Sequence, residues 1–156
     1  MTTLAQARAV ASATLAHGRS IGAAPLTVAV LDAGGHLVVL EREDGSGILR
    51  PQIACAKAWS ALGMGFSSRE IGVRAERQPV FFGALAAVAD GRWAPAAGGV
   101  LLRSDDGSVT GAVGVSGDVS DVDEECALAG VAAAGLRSDP PAGGATAGPP
   151  GGSGAR

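Results

Sequence analysis

The chain has 156 residues, which is typical of one domain, and 12 basic against 15 acidic residues give it a net charge of −3. The basic residues are scattered, so we do not expect a surface that neutralises nucleic-acid phosphates. Aromatic residues make up only 3% of the chain, which leaves few rings to stack on bases. No segment has the ~18 consecutive apolar residues of a membrane span, and residues 1–11 lack a signal-peptide pattern. We therefore expect a cytoplasmic protein with reduced thiols and with no nucleic-acid or membrane partner.

The first part of the chain predicts a helix followed by a β-hairpin. Thr3 and Gln6 have capping-box spacing, so a helix should begin near Thr3. Residues 26–32 and 36–42 are rich in Val and Leu and flank Gly34-Gly35, a pair that suits a tight turn. Alternation along the second strand divides its side chains between two faces. One face carries His36, Val38, Leu40 and Arg42, and the other carries Leu37, Val39 and Glu41.

The rest of the chain predicts further helices and a second hairpin. A helix is expected over about residues 51–62, with Pro51 in its first turn, and shorter helices should begin near Ser67 and Pro79. The second hairpin is predicted from strands over residues 100–103 and 109–115, which flank the turn signal Asp106-Gly107. An acidic start near Ser120 predicts a last helix that ends near Leu136. Hairpins rather than βαβ crossovers indicate the α+β class, with a mostly antiparallel sheet flanked by helices.

The composition changes near the C-terminus. Residues 138–156 consist largely of Pro, Gly, Ala and Thr, and they offer little apolar surface to offset the entropy of ordering. We therefore predict one domain over residues 1–137 and a disordered Pro/Gly-rich tail over residues 138–156.

Five short motifs keep a consistent order and spacing over roughly residues 3–136. They are the hairpin Val28-Ala29-Val30-Leu31-Asp32-Ala33-Gly34-Gly35-His36-Leu37, the helical Ile53-Ala54-Cys55-Ala56-Lys57-Ala58, Gly98-Gly99-Val100, Gly111-Ala112-Val113-Gly114-Val115-Ser116-Gly117 and the acidic Asp123-Glu124-Glu125. Together they resemble the GlcG/HbpS-like family, a heme-binding or heme-degrading-domain family related to the PduO C-terminal domain. The resemblance implies a profilin-like fold and homo-oligomers from dimers to octamers.

The same resemblance implies a protein that binds heme or another carboxylate-bearing small molecule. The alternatives are a cofactor-free lyase, isomerase or hydrolase acting on a small acidic intermediate, and an accessory subunit of a neighbouring enzyme. The low aromatic content argues mildly against a tightly held heme, because a porphyrin needs large apolar side chains around it. The available rings are Phe66, Phe81, Phe82, Trp59 and Trp93. No metal site is predicted, because Cys55 and Cys126 lack a CxxC pattern or clustered histidines.

Lys57 is the strongest candidate site residue, because it interrupts a predominantly apolar helical segment. Its ammonium group needs either solvent or a carboxylate partner. That partner is either a ligand carboxylate, such as a heme propionate, or a structural ion pair with Glu41, Asp123 or Glu124. Desolvation would also allow Lys57 to act as a base or nucleophile.

His36 and Arg42 complete the catalytic set that the enzyme hypothesis requires. On the shared face predicted for them, they would join Lys57 in polarising and deprotonating an acidic substrate. In the binding hypothesis Arg42 pairs with the ligand carboxylate. The other possibilities for His36 are an axial ligand, an anion contact and a hydrogen bond to the backbone of its own hairpin.

Four further residues are candidates for ligand binding. Ser60 stands where the family usually carries Thr, and the resemblance implies that its hydroxyl is a weak iron ligand, as proposed for the Thr of one relative. The alternative is that Ser60 hydrogen-bonds a backbone carbonyl of its own helix. The amides of Gly98 and Gly99 either bind a carboxylate or phosphate, or these glycines only permit close packing. His17, in the last turn of the first helix, is either a surface residue or contributes to heme binding, as the resemblance implies.

Overall fold

The computed structural model describes residues 1–142. This part of the chain forms five helices and one five-stranded sheet, which confirms the α+β class. The helices are α1 (Leu4–Ser20), α2 (Arg50–Met64), α3 (Ser68–Arg77), α4 (Pro79–Val88) and α5 (Ser120–Ala133). The strands are β1 (Thr27–Asp32), β2 (Leu37–Arg42), β3 (Gly99–Arg103), β4 (Val109–Ser116) and β5 (Arg137–Asp139). Among these described elements, no helix has the length and apolar character that crossing a membrane requires.

The sheet joins the two predicted hairpins through their central strands. Its order is β2-β1-β4-β3-β5, and each neighbouring pair is antiparallel. At the centre, β1 pairs with β4 along its whole length, from Thr27 opposite Ser116 to Asp32 opposite Gly111. The first hairpin therefore forms one edge of the sheet, and β2 is its edge strand.

Helices cover both faces of the sheet. On one face, Val28, Val30 and Val115 belong to a core that also takes in the buried sides of α1 and α5. On the other face, Leu101 packs with Ala58 of α2. Because side chains alternate along a strand, the central strands supply apolar residues to both cores. Helix α2 packs against β1, β4 and β3, and it therefore lies over the middle of the sheet.

A β-bulge changes the predicted facing of β2. The β1–β2 register shifts after Val30, so that Leu31 lies opposite Leu37. Leu37 consequently shares a face with Leu40, whereas Val38 packs with the core beneath α1 and α5. The predicted strict alternation is wrong here, because a bulge inserts one residue and breaks the two-residue period.

The C-terminal end of the described chain also differs from the prediction. α5 ends at Ala133 rather than near residue 136, and Gly135 follows with φ of 72°, a conformation that suits a helix end. The chain then forms β5, which pairs with β3 and places Asp139 Oδ2 2.8 Å from Arg103 Nη2. The first two residues assigned to the tail by composition are thus in the sheet. Residues 143–156 of the predicted tail lie outside the described residues.

Candidate functional site

Lys57 lies in the packed interior between α2, α5 and the end of β4. Its side chain is 3% exposed, and its Nζ donates to the Val115 carbonyl oxygen at 2.9 Å and to Asp123 Oδ2 at 3.0 Å. Asp123 is fully buried, and it also accepts the Asp118 backbone N–H at 2.9 Å. Of the partners considered for Lys57, the structure therefore forms the ion pair with Asp123.

Burial affects both members of this pair. Loss of water lowers the pKa of Lys57, and the Asp123 carboxylate opposes that shift. The same loss raises the pKa of Asp123, and the Lys57 ammonium opposes it. The attraction between the two charges is the main effect that opposes the desolvation of each one. The ion pair therefore connects α5 to α2.

His36 and Arg42 lie at opposite ends of the β2 hairpin arm. The His36 ring is 81% exposed, and its Nδ1 lies 3.2 Å from Asp32 Oδ1. Backbone N–H groups of the turn, first that of His36, donate to the same carboxylate and lower the pKa of Asp32. Arg42 instead donates to the Ser46 carbonyl oxygen at 2.7 Å. The structure does not bring His36 and Arg42 together with Lys57.

Ser60 and His17 are engaged in contacts within the protein. The buried Ser60 Oγ accepts the Ala94 N–H at 3.0 Å, which holds the loop after α4 against α2. His17 Nε2 lies 2.9 Å from Glu125 Oε1, a contact between the outer surfaces of α1 and α5. Ser60 is therefore buried, whereas His17 lies at the surface. These two predicted ligand-binding residues do not share one environment.

Gly98 and Gly99 bring the start of β3 against α2. Gly98 has φ of 125°, and a β-carbon there would lie 2.9 Å from Lys57 Nζ. A β-carbon on Gly99 would overlap the Lys57 carbonyl oxygen, and the Gly99 N–H already donates to Ser68 Oγ at 2.7 Å. The contacts of both glycines are those of close packing, the second of the two possibilities considered for them.

An apolar groove lies between the first hairpin and α2, and we call it the β2–α2 groove. Its volume is about 510 Å³, a size typical of small-molecule sites. Leu37 and Leu40 of β2 form one wall, and Cys55 and Trp59 of α2 form the other. The turn at residues 90–92, which follows α4, closes one end.

Arg92 supplies a cation at one corner of the β2–α2 groove, where Asp90 also lines it. Its guanidinium carbon lies 4.0 Å from the centre of the Trp59 ring, which is a cation–π contact. The indole also lies close to the hairpin turn, where a β-carbon on Gly35 would lie 3.0 Å from Trp59 Nε1. An aromatic surface and a cation are thus held side by side at the groove.

The residues predicted as catalytic or ligand-binding do not line the β2–α2 groove. Sequence reasoning missed it because Leu37 and Leu40 share a face only through the bulge, and Arg92 lies in a loop without periodicity. One signal was present in the sequence. Pro51, Cys55 and Trp59 recur at four-residue spacing, which places them on one face of α2.

The family model described as "Haem degrading protein HbpS-like" matches residues 2–132. The chain belongs to this family. The predicted family resemblance is therefore confirmed. A search of curated protein sequences gave no match.

Several solved structures share the fold of this HbpS-like chain. PduOC in complex with heme is 23% identical, with a TM-score of 0.79 over 88% of this chain and 97% of that one. Protein ORFY of Klebsiella pneumoniae is 28% identical, with a TM-score of 0.77 over 85% of this chain and 90% of that one. A double mutant of HbpS from Streptomyces reticuli is 29% identical, with a TM-score of 0.73 over 83% of this chain and 84% of that one. These likenesses agree with the predicted α+β fold.

Proposed function

We propose that this chain binds a planar, largely apolar small molecule that carries a carboxylate, with heme as the first candidate, in the β2–α2 groove. The observation that carries the proposal is the apolar groove with the Trp59 ring and the Arg92 guanidinium stacked at its edge. Membership of the haem-degrading HbpS-like family supports heme as the compound to test first. The heme complex of PduOC, which has the same fold, supports the same choice.

The groove residues suit the two chemically different parts of such a ligand. Leu37, Leu40 and Trp59 offer apolar surface to a flat ring system. The Arg92 guanidinium can pair with a carboxylate through its N–H groups while its face stays on the indole. If the ligand is heme, Arg92 would hold a propionate, and the bound iron would supply redox chemistry.

Iron ligation is the more restrictive part of the fit. Neither histidine of the chain lines the groove, whereas the half-buried Cys55 thiol does. Burial raises the pKa of Cys55, so the groove presents this sulfur as a neutral thiol. The residues therefore fit the porphyrin faces and the propionates better than they fit a strong axial ligand.

The enzyme hypothesis receives less support from the site. It requires Lys57, His36 and Arg42 to act on one substrate, yet Lys57 is bonded to Asp123 and the other two lie apart along the hairpin. We therefore rank ligand binding above catalysis by these residues.

The test is a titration of hemin into the full chain, followed by absorbance in the Soret region. Leu40→Glu places a charge in the groove wall and should weaken binding by about tenfold or more. Leu4→Glu is the matched control, because Leu4 is 49% exposed on α1 and Leu40 is 41% exposed. Hemin that produces no Soret change, or that binds the two variants equally, would refute a heme site in this groove.

A second titration separates the carboxylate contact from the apolar contact. Arg92→Gln should weaken hemin binding by about tenfold, the loss of one charge-assisted pair. The dimethyl ester of hemin has no free carboxylate, so the same variant should bind the ester as the unchanged chain does. An equal loss for both compounds would show that Arg92 does not recognise a carboxylate.

A further inference from the structure

The turn at residues 90–92 reaches the β2–α2 groove through a reversal of the chain after α4. Asp90 has φ of 54° and Gly91 has φ of 77°, so two consecutive residues adopt the left-handed conformation. The Arg92 N–H closes the reversal by donating to the Ala89 carbonyl oxygen at 3.1 Å. All three residues of the turn are exposed, and this local bond fixes the shape of the turn but not its place against α2.

Ser60 attaches this turn to α2. Its side-chain oxygen accepts the Ala94 N–H at 3.0 Å, and its hydroxyl donates to the Arg92 carbonyl oxygen at 3.4 Å. Within residues 1–142, these are the only two hydrogen bonds that join residues 90–94 to an element other than α4 and its end. One side chain of α2 therefore fixes where the backbone of Arg92 lies.

Two consecutive residues of α2 thus hold the two ends of Arg92. Ser60 bonds its backbone, and the centre of the Trp59 ring lies 4.0 Å from its guanidinium carbon. A cation–π contact is weak where the cation is exposed, as Arg92 is. Because an arginine side chain has many rotamers, a fixed backbone position narrows the places that its guanidinium can occupy.

The Ser60 hydroxyl is not open to a ligand. The residue is fully buried, and its oxygen both donates and accepts a hydrogen bond within the protein. Ser60 is not among the residues that line the β2–α2 groove. Any effect of Ser60 on a molecule bound in the groove must therefore pass through the turn that carries Arg92.

We propose that Ser60 is a positioning residue, which holds Arg92 against Trp59 and thereby gives the β2–α2 groove its preference for a carboxylate. The inference rests on the proposed function, in which Arg92 is the carboxylate contact. It adds that this preference is set from beneath the groove, by a hydroxyl that the ligand does not touch.

The first test needs no ligand. In a Trp93→Phe chain, Trp59 is the only tryptophan, so its fluorescence reports whether a cation lies on the indole. Arg92→Gln in this background gives the emission without the cation, and Ser60→Ala should move the emission in the same direction. Ser60→Thr keeps a hydroxyl and should keep the emission of the background chain. Emission that Ser60→Ala leaves unchanged would overturn the proposal.

The second test titrates the full chain with three related porphyrins, which are hemin, its dimethyl ester and iron-free protoporphyrin. Ser60→Ala should weaken the binding of hemin and protoporphyrin by about threefold to tenfold, the usual effect of one lost hydrogen bond. It should leave binding of the ester unchanged, since the ester has no free carboxylate. In a chain that already carries Arg92→Gln, Ser60→Ala should have no further effect on hemin.

Ser68→Ala is the matched control for Ser60→Ala. Ser68 is also a fully buried serine, its oxygen accepts the Gly99 N–H at 2.7 Å, and it does not line the β2–α2 groove. Its loss should lower the free energy of unfolding but leave the binding of all three porphyrins unchanged. Circular dichroism checks that each variant keeps its helices.

Three results of these titrations separate the alternatives. Weaker binding of hemin and its ester, with protoporphyrin unchanged, would make Ser60 an iron ligand and overturn the proposal. An equal loss for all three porphyrins would also overturn it, because Ser60 would then act on the shape of the groove rather than on its cation. A chain that binds none of them, yet shows the expected fluorescence changes, would refute the proposed function while supporting the positioning of Arg92 by Ser60.

Discussion

Lys57 Nζ lies 3.0 Å from Asp123 Oδ2, and the two side chains are 3% and 0% exposed. The ammonium also donates to the Val115 carbonyl oxygen, so one side chain joins the middle of α2, the end of β4 and the first turn of α5. The residue that interrupts the apolar pattern of α2 thereby fixes where α5 sits on the sheet. The charge of Lys57 therefore stabilises the fold through this ion pair.

Lys57→Met should destabilise the protein by about 3–5 kcal/mol, because it leaves the buried Asp123 without its partner. Chemical denaturation measures the change in the free energy of unfolding. The double variant Lys57→Met/Asp123→Leu removes both charges and should be destabilised by less than the sum of the single variants. Strict additivity, or a loss below about 1 kcal/mol for Lys57→Met, would contradict a coupled buried pair.

Gly99→Ala should destabilise the protein by about 1–3 kcal/mol, the usual effect of overpacking, because the new β-carbon meets the Lys57 carbonyl oxygen. Gly63→Ala is the contrasting change. Gly63 lies exposed within α2, and a β-carbon there would have only one ordinary contact, 3.9 Å from the Trp59 ring. It should stabilise the helix by about 0.5–1 kcal/mol. Equal effects of the two changes on the free energy of unfolding would refute the close approach at Gly99.

The parts of the fold that were predictable depend on local chemistry. Thr3 begins α1 with the predicted capping box, in which its Oγ1 accepts the Gln6 N–H at 3.2 Å. Both hairpins form around their glycine-containing turns. β5 was not predictable, because a strand of three residues shows no alternation and forms only where β3 leaves an edge to pair with.

The candidate site was less accessible from the sequence, because its walls come from separate elements. The chemical reasoning that singled out Lys57 was sound, but its partner depended on where the first turn of α5 lies beside the end of β4. The β2–α2 groove depends on a bulge that reverses Leu37 and on a turn that delivers Arg92 to the Trp59 ring. Neither the bulge nor the turn produces a periodic pattern in the sequence.

The two cysteines should differ in reactivity toward a thiol reagent such as Ellman's. Cys55 is half-buried and lines the β2–α2 groove, whereas Cys126 is fully buried and burial raises its pKa to about 11. The native chain should therefore show one slow-reacting thiol and one that reacts only on unfolding. Cys55→Ser should remove the first phase, and Cys126→Ser should leave it intact.

The same reaction reports on the groove. A ligand bound between the hairpin and α2 covers Cys55, so saturating hemin should slow the first phase, and Leu40→Glu should abolish that protection. Rapid labelling of Cys126 in the native chain would contradict its buried position. Labelling of Cys55 that hemin leaves unchanged would place the hemin elsewhere.

Acid should weaken the contact that Asp118 makes before α5. Its carboxylate accepts the Ala24 and Val119 N–H groups at 2.7 Å each, and these bonds, the Ala24 bond first, hold its pKa below the usual range. Because the folded-state pKa is lower than the unfolded one, this stabilisation is complete above the ordinary aspartate pKa, about 4. It is lost as the pH falls through the folded-state value.

Asp118→Asn cannot titrate, and it replaces one of the two accepting oxygens with an NH2 group, so it removes the charge together with one of the two hydrogen bonds. The variant should melt at a lower temperature than the unchanged chain at pH 7, and the gap should shrink steadily below about pH 4. Melting temperatures measured from neutral to acidic pH supply the comparison, and Asp44→Asn, at an exposed carboxylate, is the control. A gap that stays constant down to strongly acidic pH would show that the charge of Asp118 does not strengthen its bonds to Ala24 and Val119.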